Sequence, residues 1–304
     1  MRVAVIGASG HIGTWLVPAL ADRGHDVVAI SRGLRAPYHV FDGWNHARHV
    51  IIDRADESFV QSIVSLNADV VIDLICFDVS SAREIVDALR GKCRHFIHCG
   101  TLWVHGIPRR RPYDESTPRE PFGEYGIRKA AIENYLLDQA RRGFPATVLH
   151  PGHITGPGWE PINPEGHLTH DVFSRLANGE QITLPDDGLA TLQHVHAADV
   201  ASAFALSVEK PEAAIGQSFH VAAQKPVTMR SYAETVAAWH GLEANIAFLP
   251  FEEWKKFRSA REVELAFDHI THSPCASIAK AEAMLGFNPR YSAVDAVRDA
   301  LGIT

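Results

Sequence analysis

Cysteine is scarce in this sequence: Cys76, Cys93, Cys99 and Cys275 are the only four in 304 residues, and their spacings match neither a disulfide framework nor a zinc site. No apolar run approaches the roughly eighteen residues of a membrane span, so no membrane partner is expected. A basic stripe is missing too. With 36 acidic against 29 basic residues, interspersed along the chain, the formal charge is -7, which argues against a nucleic-acid partner. Met1 runs directly into a strand-like stretch without the basic start and cleavage site of a signal peptide, and a reducing cytoplasm is the expected setting. Histidine, by contrast, is abundant at eighteen. "HVH" (His194 to His196) places two imidazoles on one face of a strand, but without a third ligand at metal-site spacing they read as packed or hydrogen-bonded neutral rings, and no metal site is expected.

The apolar content, 46%, is enough for a full core, and its arrangement is informative. Short Val- and Ile-rich runs recur in the first half: "RVAVIG", "HDVVAIS", "HVIID", "ADVVIDLIC", "RHFIHCG" and "ATVLHPG". Helical spacing separates most of them, as in 12–23, 57–66 and 80–90. Continuous apolar strands alternating with helices imply parallel pairing through crossovers, so the expected class is α/β, a Rossmann-type doubly wound parallel sheet. Beyond Pro151 the Pro- and Gly-rich "GPGWEPINPEGH" interrupts regular structure, and helical patterns follow at 168–178, 197–208, 229–240, 252–258, 277–285 and 293–301. The expected division is a dinucleotide-binding unit, 1–152, and a smaller substrate-binding lobe, 153–304, with about 191–223 returning to the sheet.

"GASGHIG" joins the first strand to the first helix with Gly7, Gly10 and Gly13 three apart. Glycines there permit a tight turn, a close approach to a pyrophosphate and close helix–strand packing, while the helix start offers free N–H groups. At the end of the second strand an acidic residue would meet a ribose 2′-hydroxyl, whereas a cation would meet a 2′-phosphate. The residues there are Ser31 and Arg32, which favours NADP(H) over NAD(H); stacking on adenine and plain solvation are the other readings of Arg32. Further along, "EYGIRKA" puts Tyr125 and Lys129 on one face of a helix running to about Arg142. A nearby cation lowers the pKa of a tyrosine, which fits it for acid–base work. Thr101 follows an apolar strand at its carboxyl end, where open α/β sheets bind ligands.

Glycine loop, Thr101, Tyr125 and Lys129 stand in an order that resembles the extended branch of the short-chain dehydrogenase/reductase superfamily, the NAD-dependent epimerase/dehydratase group. "HPGHITGPG", "VHAADVASAF" and the late "SIAKAEAMLGFNPRYS" extend the resemblance over nearly the whole chain. It implies that Tyr125 is the acid/base, that Lys129 lowers its pKa and holds the nicotinamide ribose, and that Thr101 hydrogen-bonds the reacting oxygen. It also implies a pyrophosphate lined by Gly7, Ser9, Gly10, His11, Ile12 and Gly13, and an adenine met by Asp53. Leu74, Ile75, Cys76, Pro151 and His153 would flank the nicotinamide half, with Trp103 and His153 meeting substrate. A homodimer through the Tyr–Lys helix is a further implication.

Departures narrow the chemistry. Leu102 and Trp103 stand where dehydratases of this branch carry Asp-Glu, so sugar dehydration is not expected. His153 replaces the usual Asn of sugar-nucleotide epimerases, and "LATLQHVH" lacks the cation that would grip a diphosphate. The expected activity is hydride transfer to or from a hydroxyl- or carbonyl-bearing carbon of a small sugar-like or carbonyl substrate. The alternatives are an epimerase with tightly bound NAD and a non-catalytic dinucleotide-binding sensor.

Overall fold

The computed structural model describes residues 1–303. Its centre is a seven-stranded parallel sheet built by β1 (Arg2–Ile6), β2 (Asp26–Ser31), β3 (Arg48–Ile51), β4 (Val70–Asp73), β5 (His95–Cys99), β6 (Ala146–Pro151) and a last strand, Ser218–Val221. Across the sheet the order is Ser218–Val221, β6, β5, β4, β1, β2, β3. The order reverses between β1 and β4, and ligands of doubly wound sheets sit at the carboxyl ends of such a pair.

Alternation along β1 shows why its run is apolar throughout. Val3 and Val5 enter the core under α1 (His11–Ala21) and the later helix Ala197–Glu209. Ala4 and Ile6 enter the opposite core, under α2 (Phe59–Ser65), α3 (Val79–Leu89) and α4 (Gly123–Arg141). With both faces of β1 covered, every position from Val3 to Ile6 is apolar. The second lobe has a separate core around Phe173, Ile182, Leu184, Tyr232 and Val236, on helices Asp171–Ala177 and Met229–Trp239 and the parallel pair Ile182–Pro185 with Ile246–Leu249.

Two details differ from the pattern in the sequence. Within 191–223 the strand Ser218–Val221 joins the central sheet and helix Ala197–Glu209 packs on α1, whereas His194–His196 pairs with His153–Thr155 in a sheet of two. The helix Ala260–His272 lies outside the helical patterns read from the sequence. Its buried positions are Ala266, His269 and His272, so imidazoles occupy the face where leucines would have marked it, and a Ser259/Glu262 capping box starts it. Two of the motifs behind the resemblance prove to be one unit: buried Asp199 accepts the backbone N–H groups of Arg290 and Tyr291, at 3.0 and 3.1 Å, and so pins the chain's close to the helix that opens at Ala197.

Candidate active site

The glycine loop leaves β1 through Gly7 at φ +87°, a conformation that favours glycine, and a Cβ there would lie 2.7 Å from Ile75 Cγ2. At Gly13 a Cβ would lie 2.1 Å from the Ala8 carbonyl oxygen, so this glycine lets α1 close onto the loop. Gly10 caps the helix, whose first-turn N–H groups have no partner within it. Beside this loop is a cleft of about 530 Å³, lined among others by Gly7, Ser9, Gly10, Ser31, Arg32, Asp53 and Ile75. An open cradle, helix N–H groups and guanidinium groups at the far end fit a dinucleotide.

Not every expected residue reaches the cleft with its side chain. His11, Ile12 and Gly13 turn inward, leaving their backbone N–H groups to meet a phosphate. His11 instead stacks on Trp159, ring centres 5.0 Å apart, and burial holds its pKa down at about 4. Leu74 and Cys76 are buried in the core. Asp53 lines the cleft and also forms a turn, accepting the Ala55 N–H at 3.0 Å. Arg35 and Phe77, which belong to no sequence motif, also line the cleft. Arg35 donates to the Tyr38 hydroxyl at 2.5 Å.

Phe77 leads to the next cavity, with its ring 6.5 Å from that of Tyr125. Lys129 is buried beside them, its Nζ 4.5 Å from the Phe77 centroid and 6.0 Å from the Tyr125 centroid. Two of its protons go to the Cys76 and Cys99 carbonyls, both at 2.8 Å, which leaves one N–H. Burial lowers its pKa. The Tyr125 phenol differs from the expectation. Its ring edge is open, 43% exposed, but its hydroxyl end is enclosed, and that desolvation pushes its pKa up despite the hydrogen bond with Thr101. The lowering expected from Lys129 is not found, because burial dominates.

The second cavity, about 350 Å³, brings together Thr101, Trp103, Tyr125, Pro151 and His153 with Trp159, Gln193, Leu265 and His269. Thr101 is held at the start of a 3-10 turn, Leu102–His105, where its Oγ1 accepts the Trp103 N–H at 3.3 Å. A relay sets the ring of His153. His269 Nδ1 donates to the Leu265 carbonyl at 2.6 Å, so His269 Nε2 accepts from His153 Nδ1 at 3.3 Å, and His153 Nε2 keeps a lone pair. Burial pushes His153 well below the usual imidazole range and His269 down to about 4, so both are neutral at pH 7. Gln193 is satisfied by the Ala223 and Ala276 backbones. The "HVH" imidazoles are used in packing contacts: His194 faces the Ile162 carbonyl at 3.2 Å, and His196 faces Asp299 at 3.0 Å. Among the described residues no helix is long and apolar enough to cross a membrane.

Known proteins resemble this chain in sequence and in fold. A 2'-dehydrokanamycin reductase of Streptomyces kanamyceticus is 29% identical over 256 residues, which cover 83% of this chain and 70% of that protein. The chloroplast stem-loop binding protein of 41 kDa b from Arabidopsis thaliana is 26% identical over 314 residues, covering 99% and 79%. The fold matches a UDP-glucose 4-epimerase from Thermotoga maritima, solved with UDP-glucose, at a TM-score of 0.73 with 21% identity, covering 99% of this chain and 98% of that one. The model of the NAD dependent epimerase/dehydratase family matches residues 3–222, well over half of the chain, and the protein therefore belongs to that family of NAD(P)-dependent oxidoreductases and epimerases.

Proposed function

We propose that this protein is an NADP(H)-linked reductase acting on the carbonyl of an uncharged, ring-bearing, sugar-like small molecule. The observation that carries the reading is the lining of the substrate cavity, in which no Asp, Glu, Lys or Arg side chain takes part among the described residues. A sugar nucleotide brings a doubly charged diphosphate, which a cavity of Leu, Ile, Trp and neutral His would have to desolvate without a counter-charge. A neutral ring meets Trp103 and Trp159, with hydrogen bonds to Thr101, Tyr125 and the lone pair of His153.

The bound nicotinamide would supply the hydride from its C4. Tyr125 gives its phenolic proton to the carbonyl oxygen as the alkoxide forms, and Thr101 hydrogen-bonds that oxygen. The burial that raises the Tyr125 pKa keeps it protonated and ready as an acid, with Lys129 the cation beside its ring. The remaining Lys129 N–H is available to a ribose hydroxyl. Ser31, Arg32 and Arg35 at the far end of the cleft support a 2′-phosphate, and the family's reductase member supports the reductive direction.

The test is a turnover screen of the full chain. NADPH oxidation with uncharged cyclic ketones, and a purified site that exchanges its dinucleotide freely, are the expected results. Tightly co-purifying NAD together with interconversion of UDP-sugars without net oxidation would replace this reading by an epimerase.

A further inference from the structure

Three imidazoles outside the substrate cavity, those of His105, His150 and His220, each bring a ring nitrogen within 4.8 Å of the other two, and all three are buried. They come from separate elements. His105 ends the 3-10 turn that begins after Thr101, His150 lies in β6, and His220 lies in the neighbouring strand Ser218–Val221.

Their ring protons are directed elsewhere. His105 Nδ1 lies 3.1 Å from the Thr117 carbonyl and His220 Nδ1 lies 3.1 Å from the Ser277 carbonyl; a carbonyl only accepts, so both nitrogens carry the proton. A neutral imidazole has one N–H. Both Nε2 atoms therefore carry lone pairs, and they face each other at 2.8 Å. On the third ring, Glu133 Oε1 lies 3.2 Å from His150 Nε2, and Arg119 holds Glu133 at 2.7 Å. A carbonyl behind the His105 ring and another behind the His220 ring form the arrangement that orients metal-ligating histidines, while His150 has only the carboxylate contact and no hydrogen bond at either ring nitrogen. Two facing lone pairs repel, and something electron-poor has to lie between them.

We propose that His105, His150 and His220 bind one divalent cation of the zinc type. Imidazole nitrogens suit that class of ion, and zinc–nitrogen bonds of about 2.0–2.1 Å in a tetrahedral set place nitrogens about 3.3 Å apart. His105 and His220 need to open by about half an ångström, and His150 to draw in, to reach that spacing. The charges around the cluster balance. Arg119 and Lys280 are near, and so are Glu133 and Glu115, the latter accepting the His220 backbone N–H at 2.7 Å. A cavity of about 210 Å³, lined by His105, Thr117, Arg109 and Glu120 among others, gives an entry path. None of the three imidazoles lines the substrate cavity. The ion is thus a clip that ties the turn carrying Thr101 and Trp103 to two strands of the sheet, and it takes no part in the hydride step.

The test uses untagged full-length protein, stripped with chelator and then given Zn²⁺ or Co²⁺ alone. The expected result is about one equivalent taken up per chain, visible ligand-field bands with Co²⁺ and a higher unfolding temperature with Zn²⁺. His105→Gln, His150→Gln and His220→Gln each remove the uptake, while His240→Gln, at an exposed position, leaves it unchanged. No uptake by the wild-type chain, or stoichiometry unaltered in all three variants, overturns the proposal and leaves a shared proton between His105 and His220. Should the variants fail to fold, the Co²⁺ spectrum of the wild type decides alone.

Discussion

The Trp103 indole lies flat on the His272 imidazole, ring centres 4.2 Å apart and planes within 10°. Phe122 stacks on the same imidazole at 4.1 Å. Trp103 belongs to the turn after β5 and His272 ends a helix more than 160 residues later, so a wall of the substrate cavity depends on a contact between the two lobes. Burial holds His272 at a pKa of about 4, which keeps it a neutral stacking partner at pH 7.

Replacing His272 by Ala removes that support while leaving Thr101 and Tyr125 in place. Aromatic pairs contribute about 0.5–1.5 kcal/mol, so KM for substrate should rise about two- to tenfold with little change in kcat. Michaelis kinetics check this, and an equal fall in kcat would mean that the stack also positions the reacting groups.

For Tyr125→Phe the ring remains and the proton is lost. General acid catalysis is worth about 10²–10⁴-fold, and turnover should fall by that much with dinucleotide affinity nearly unchanged. Stopped-flow turnover and a fluorescence titration separate the two effects; retained activity would remove Tyr125 from the mechanism.

Arg32 is expected to meet a phosphate. A hydrogen bond to a charged group is worth about 1.5–3 kcal/mol, so Arg32→Ala should weaken NADPH at least tenfold and NADH much less. Equal losses by titration calorimetry would assign Arg32 to adenine stacking instead.

Acid should destabilise the fold early. Burial holds His11, His95, His269 and His272 at about 4 and His194 at about 3, whereas in the unfolded chain they titrate near 6.5. Above about pH 6.5 both states are neutral at these rings and the stability is fully present. Below it the unfolded chain takes up protons that the fold refuses, and stability falls by about 1.4 kcal/mol per pH unit for each histidine. Urea midpoints at pH 7, 6 and 5 should drop steeply, and a flat profile would show that these rings are protonated in the fold.

The sequence is most informative where one residue type permits one backbone solution. The apolar runs could only be strands covered on both faces, and Gly7 and Gly13 stand where a Cβ would collide with Ile75 and Ala8. Tyr125 and Lys129 could be paired because helical spacing is a local property. The helix Ala260–His272 carries little sequence signal because two of its three fully buried positions are histidines, and it supplies Leu265 and His269 to the cavity lining and His272 as the support behind Trp103.

The sequence by itself thus determined the sheet, the tight glycine turn after β1 and the family, since each follows from short-range periodicity and steric need. Tertiary structure alone decided which groups are charged and which face one another. The absence of charge in the substrate cavity, the upward shift of Tyr125 and the meeting of His105, His150 and His220 arise from burial and from contacts between distant segments. Neither desolvation nor long-range proximity has a period that a linear sequence can display.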